Sequence, residues 1–305
     1  NNSPEKWEAE KKLTIQTLQH GIDSGINFLN TADFYGMGMN ELVIGEAIKG
    51  RRKKVFLSVK TGSLCDYKGH FLGFDSRPKA IKNFCAYSLT RLGVDEIDLY
   101  QSARIDPNVP IEETVGAIKD LIDEGKVRYL GLSEANAEQL RRAHKVHPVS
   151  ALEIEYSLAT RFIEKEILPT ARELGISIVP YSVLSYGLLT GNLSYPLPKE
   201  NYISRFPRFQ EENLKHNLQK VEFLKEMAHK KNVSASQLAL AWALNQGEDI
   251  IPIVGMSKPG RVEQNLAALD IEFTVDEMNL LNKTFAIDAI KGDRYPAALQ
   301  KIVAS

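Results

Sequence analysis

The chain has 305 residues, 43% of them hydrophobic and 25% charged, enough for a full core and suited to one barrel-sized domain over residues 1–305. A net charge of −1, with no basic run longer than Arg51-Arg52-Lys53-Lys54, excludes the electrostatic footprint of a nucleic-acid binder. No apolar run approaches the ~20 residues of a membrane helix, and Cys65 and Cys85 have neither zinc-type nor CxxC spacing, so no metal is expected and a reducing, cytoplasmic setting is the default.

The chain opens at Asn1 without methionine or a signal-peptide pattern and goes straight into a helical segment, residues 5–24, with Ile15, Leu18 and Ile22 at helical spacing. Gly21 and Gly25 mark the exit into the first of seven β-rich runs: Ile26–Leu29, Val55–Val59, Ile97–Gln101, Tyr129–Leu132, Ala151–Ile154, Ile176–Pro180 and Ile250–Val254. Between them, Pro78–Leu92 carries a helical stripe at Ile81, Phe84, Cys85, Ser88, Leu89 and Leu92, and Glu112–Glu124 carries one at Val115, Ile118 and Ile122. Gly93 and Gly125 stand where C-terminal caps belong. Further helices fit residues 137–146, 163–174, 213–230, 234–246 and 260–269.

Alternating βα units mean a parallel sheet, open or closed into a barrel. No GxGxxG follows any strand, because Gly36-Met37-Gly38-Met39 has the wrong spacing. Reactive side chains instead gather at the C-terminal ends of the strands: Asp33, Lys60, Ser133, Glu153, Glu155, Tyr181 and Ser257. A barrel brings those ends into one mouth. The expected fold is therefore an α/β, (β/α)8 TIM barrel, and its strand count asks for one strand before Asn1.

Several stretches carry a family resemblance: Asn30-Thr31-Ala32-Asp33-Phe34-Tyr35-Gly36, Val59-Lys60-Thr61, the segment from Gly93 to Tyr100, the segment from Gly125 to Ser133, and Pro180-Tyr181-Ser182. Their order and strand context resemble the aldo-keto reductase superfamily, most closely the branch that includes pyridoxal reductases. The resemblance implies an N-terminal β-hairpin and a first barrel strand, both expected to be absent from this chain.

Reducing a carbonyl by hydride leaves negative charge on its oxygen, so a proton donor is needed there. Tyr35 is the candidate. A free tyrosine, with a pKa near 10, is a reluctant donor unless a cation favours its ionised form. Lys60 supplies that cation, and Asp33 can hold it, giving an expected relay from carboxylate to ammonium to phenol. The resemblance assigns the same roles to the same three positions. It also implies a histidine at the end of the next strand, but Gln101-Ser102-Ala103-Arg104 places Ala103 there. His70, in the loop 61–77, is the histidine that could stand in.

The resemblance implies a nicotinamide cofactor as well. Tyr181 is expected to stack on the nicotinamide, and Ser133 and Glu153 to meet its carboxamide. Ser182, Leu184 and Gly187 border the pyrophosphate. Ser257, Lys258 and Arg261 open a helix, where backbone N–H groups add to basic side chains in holding an anion. By alignment Arg261 grips the 2′-phosphate, while Gln264 and Asn265 face the adenine. NADPH is thus expected over NADH, with a small-molecule carbonyl substrate. An alternative, motivated by Ala103, is a cofactor-binding sensor or regulatory barrel with little turnover.

Overall fold

The computed structural model describes residues 4–304. Helix α1 (Pro4–Asp23) leads to strand β1 (Phe28–Ala32), a tight turn at Tyr35–Gly38, helix α2 (Met39–Ala47) and strand β2 (Phe56–Thr61). A short hairpin, β3 (Ser63–Cys65) and β4 (Phe71–Phe74), precedes α3 (Pro78–Leu92), β5 (Ile97–Ser102), α4 (Ile111–Asp123), β6 (Val127–Ser133) and α5 (Ala137–Val146). Then come β7 (Val149–Glu155), α6 (Ile167–Glu173), β8 (Ser177–Tyr181), α7 (Glu211–Lys230), α8 (Ala235–Leu244), α9 (Gly260–Leu266), α10 (Val275–Thr284) and α11 (Ala297–Gln300).

These elements form two compact units. One is the chain up to Leu152 with Glu173–Ile176 and Gly255–Glu263; the other takes Glu153–Arg172, Ser177–Val254 and the chain from Gln264 onward. In the first unit the strands run parallel in the order β1-β2-β5-β6, followed by the start of β7. Alternate residues of a strand share a face. Val59 and Tyr100, both fully buried, belong to the face covered by helices, and the Tyr100 hydroxyl donates to the Ile81 carbonyl of α3 at 3.3 Å. Helix α3 ends at Gly93, whose φ of 65° is the left-handed cap that the sequence predicts. Gly45 lets α2 approach α3 closely, since a Cβ there would lie 2.6 Å from the Leu92 carbonyl oxygen. Cys85 of α3 is sealed in this core, and burial pushes its thiol up to about 12; Cys65 on β3 is half-buried.

In the second unit the end of β7 neighbours β8. The strand expected at Ile250–Val254 is reduced to a bridge between Ile178 and Ile250. Ile251 and Ile253 still donate to the carbonyls of Ile178 and Pro180 at 2.9 Å. Pro180 has no N–H to return, so the ladder stops there. Tyr156 packs on Trp242 with ring centroids 5.4 Å apart, and the fully buried Glu155 lies between Arg208 at 3.5 Å and Arg294 at 3.4 Å.

The loop expected at 61–77 holds the β3–β4 hairpin, and the helix expected over 260–269 passes after Leu266 into a 3-10 turn, Ala267–Asp270. Among the described residues no helix is long and apolar enough to cross a membrane, and no three His, Cys, Asp or Glu side chains are grouped to hold a metal ion.

Candidate active site

Strand register builds the first part of the site. Asn30 lies opposite Ser58, Ala32 opposite Lys60, and Lys60 opposite Gln101. Because parallel partners point the same way, Asn30, Ser58, Lys60 and Gln101 share the sheet face away from Val59 and Tyr100. That face is polar and hydrogen-bonded: Asn30 Nδ2 donates to Ser58 Oγ at 3.3 Å, and Gln101 Nε2 donates to the same oxygen at 3.1 Å. Lys60 is only 4% exposed, and its Nζ donates to Asn30 Oδ1 at 2.6 Å. Nζ also lies over the Tyr35 ring, 5.1 Å from its centroid, while Tyr35 itself is 40% exposed. A buried cation thus faces a phenol that solvent or a ligand can reach.

Asp33 is arranged differently from the expected relay. Its Oδ2 accepts from the Thr61 hydroxyl at 2.7 Å, and its Oδ1 is buried without a hydrogen-bond partner. Strand alternation accounts for this: Asp33 and Thr61 each fall one step out of phase with Ala32 and Lys60, so carboxylate and ammonium leave their strands on opposite faces. Burial raises the Asp33 carboxyl to about 6, against the opposing hydrogen bond from Thr61; the nearby Glu41 also raises it, and Arg91 lowers it. Glu41, fully buried, is held by Arg91 at 2.5 Å.

Ala103 is 2% exposed, and its backbone N–H donates to the Thr61 carbonyl at 2.8 Å, so the position implied for a histidine is occupied by a methyl group at the mouth end of the sheet. The next side chain, Arg104, turns its Nη1 to the Ala103 carbonyl at 2.6 Å and to the Ser133 hydroxyl at 3.4 Å. His70 is occupied elsewhere, bonded through Nδ1 to Asp66 at 2.9 Å in the hairpin turn, with its side chain 72% exposed. Asn30, Thr61 and Arg104 contact the candidate residues, and sequence reasoning passes over them. Two of them have a sequence signal: Asn30 lies two residues from Ala32 in the quoted motif, and Arg104 is the basic neighbour of the substituted position.

The residues expected to hold the cofactor divide between the units. In the first, Ser133 is fully buried at the end of β6, followed by Glu134, buried and in the left-handed region at φ 54°. Ser257, Lys258 and Arg261 are all exposed, with the Arg261 N–H closing a turn on the Lys258 carbonyl at 3.0 Å. In the second unit Glu153 is buried, Tyr181 is half-buried, and the Tyr181 hydroxyl meets that of Tyr295 at 3.0 Å. Ser182, Ser185, Tyr186 and Gly187 adopt φ values of 55°, 48°, 53° and 92°, a strained run of the kind that recurs at ligand clamps. Leu184 lies inside this loop, and Gln264 and Asn265 fall in the second part of α9. Within the second unit the Tyr181 ring and the positive-φ loop after it have the chemistry to meet a nicotinamide ring and a phosphate, and within the first unit the exposed Lys258 and Arg261 have the charge to meet a phosphate.

A profile of the aldo/keto reductase family matches residues 2–285. The probable aldo-keto reductase 1 of Glycine max is 41% identical over 283 residues, which are 92% of this chain and 82% of that protein. Among solved structures, the glycerol dehydrogenase of Gluconobacter oxydans is similar with a TM-score of 0.86 and 29% identity, over 96% of this chain and 89% of its own. An aldo/keto reductase from Klebsiella pneumoniae, in complex with NADP and acetate, is similar with a TM-score of 0.74 and 25% identity, over 94% and 90% of the two chains.

Proposed function

The chain belongs to the aldo/keto reductase family, and from that premise we propose that it reduces an aldehyde or ketone to an alcohol with NADPH. The observation that carries the reading is the buried Lys60 ammonium held over the accessible Tyr35 ring at 5.1 Å. The parallel sheet is read as part of a closed (β/α)8 barrel, supported by its strand order and by the likeness to the Gluconobacter oxydans enzyme.

When bound, NADPH supplies the hydride. Tyr35 donates the proton to the carbonyl oxygen, and Lys60 stabilises the negative charge left on the phenol. Asn30 fixes the ammonium through its 2.6 Å bond. Asp33 acts as a positioning group: its N–H donates to the Lys60 carbonyl at 3.0 Å, which ties the end of β1 to the strand that carries the lysine. Tyr181, Ser133 and Glu153 would hold the nicotinamide end, Ser182, Leu184 and Gly187 the pyrophosphate, and Ser257, Lys258, Arg261, Gln264 and Asn265 the adenosine 2′-phosphate end. The preference for NADPH is supported by the exposed Lys258 and Arg261 and by the NADP complex of the Klebsiella pneumoniae relative.

Tyr35→Phe is expected to abolish NADPH oxidation by a panel of aldehydes while NADPH binding, followed by fluorescence, changes little. Retained turnover would place the proton source elsewhere. Ala103 favours a second reading, a barrel that binds the cofactor as a sensor, and single-turnover mixing separates the two. Tight NADPH binding with no oxidation by any carbonyl would support the sensor and defeat the reductase.

A further inference from the structure

Arg104 differs from the arginines that clamp a carboxylate. Arg142 grips Glu112 through Nε and Nη2 at 2.8 Å each, Arg161 grips Glu164 at 2.7 and 2.9 Å, and Arg172 grips Asp249 at 2.8 and 3.2 Å. Each uses the same two-point edge of the guanidinium. Arg104 uses the other end: Nη1 donates to the Ala103 carbonyl and the Ser133 hydroxyl, both neutral oxygens, and Nε is buried without a partner. A guanidinium cannot shed its charge to relieve burial. Among the described residues this cation makes no ion pair, and with an unused N–H on its two-point edge it has the form of an oxyanion receptor.

Its position gives the receptor a use. Asp33 N–H donates to the Lys60 carbonyl, Ala103 N–H donates to the Thr61 carbonyl, and Ser102 lies opposite Leu132, so the ends of β1, β2, β5 and β6 stand side by side. Arg104 is on the same edge as Lys60, immediately beyond the place where Ala103 leaves only a methyl group. A methyl at position 103 takes up less space than the implied imidazole would.

We propose that Arg104 is the specificity-determining residue of this site and that it selects carbonyl substrates bearing an anionic oxygen group, a carboxylate or a phosphate. The proposal rests on the reductase reading. The anionic group takes the two-point edge of Arg104, and the carbonyl oxygen is left to Tyr35.

Matched substrates test it. With NADPH, 4-oxobutanoate is expected to exceed butanal in kcat/KM by about tenfold or more, mainly through KM. The pair glyceraldehyde 3-phosphate and glyceraldehyde asks whether phosphate serves as carboxylate does. Arg104→Ala is expected to reduce kcat/KM for the anionic member at least about tenfold more than for the neutral one, and Arg104→Lys to keep part of the preference. A wild type indifferent to charge, or equal losses on both members, overturns the proposal. Calorimetric titration with succinate and with inorganic phosphate reads the site without turnover. Wild-type binding that weakens about tenfold or more in Arg104→Ala supports the anion site even if no carbonyl is reduced, an outcome that counts against the reductase reading alone. No wild-type binding of either anion, or equal affinity in the variant, overturns it.

Discussion

Burial holds the Asp33 carboxyl at about 6 where an ordinary aspartate sits near 3.8, so the folded protein binds this proton more tightly than the unfolded chain does. The sign follows: stability is fullest below the ordinary value and falls as pH rises from about 4 through 6. At 1.36 kcal/mol per pKa unit, the ionised Asp33 costs up to roughly 3 kcal/mol at neutral pH. Asp33→Asn keeps an acceptor for the Thr61 hydroxyl and removes that charge. The difference in urea-unfolding stability, variant minus wild type, is expected to grow in the variant's favour between pH 4.5 and 7.5; a difference that is flat or of opposite sign would show that burial does not penalise this carboxylate. At Arg261 the expected effect is on affinity: Arg261→Ala weakens NADPH binding about tenfold or more and leaves NADH binding nearly unchanged, and equal losses would remove the 2′-phosphate role. Tyr35 and Lys60 are legible in the sequence because chemistry and spacing point to them together. The Asn30 contact and the turning of Asp33 toward Thr61 are not, because both depend on the facing and register of strands that are distant in the chain.

Helices α2 and α3 meet at a glycine. A Cβ on Gly45 would lie 2.6 Å from the Leu92 carbonyl oxygen and 2.9 Å from the Leu92 carbonyl carbon, both backbone atoms that cannot swing aside. Gly45→Ala gains about 1 kcal/mol in helix propensity, but forcing the helices apart costs about 1–3 kcal/mol. The expected net is a lower denaturation midpoint with an unchanged slope; a more stable variant would mean that the helices separate freely. Elements are legible where pattern and punctuation agree. β2, β5 and β6 are apolar runs closed by turns, and α3 has its stripe and its Gly93 cap. The short strands β3 and β4 escape because three and four half-exposed residues make no periodic signal. Helix α10 carries a capping box at Thr274 and Glu277, yet only Leu281 within it is fully buried, too thin a stripe to stand out.

Across the whole molecule 38 basic side chains balance 39 acidic ones, and most pairs, such as Lys119 with Asp123 or Arg141 with Glu173, are exposed. Exposed pairs contribute about 0–1 kcal/mol each and are screened by salt. Glu155 is the opposite case, its side chain 0% exposed between the guanidiniums of Arg208 and Arg294, at 5% and 7%. Glu155→Gln leaves two buried cations without their carboxylate, and a loss of roughly 3–5 kcal/mol is expected in scanning calorimetry. Raising NaCl to about 0.5 M should move the wild-type Tm far less, and a larger shift from salt than from the substitution would reverse that ranking. The two thiols differ just as sharply in access. Cys85 is sealed in α3 with its thiol pushed up to about 12, so a maleimide dye has one sulfur to address, Cys65, on the hairpin that directly follows the strand carrying Lys60. The native protein therefore carries its own fluorescent reporter position, ready to follow cofactor and carbonyl arriving without any cysteine being added or removed.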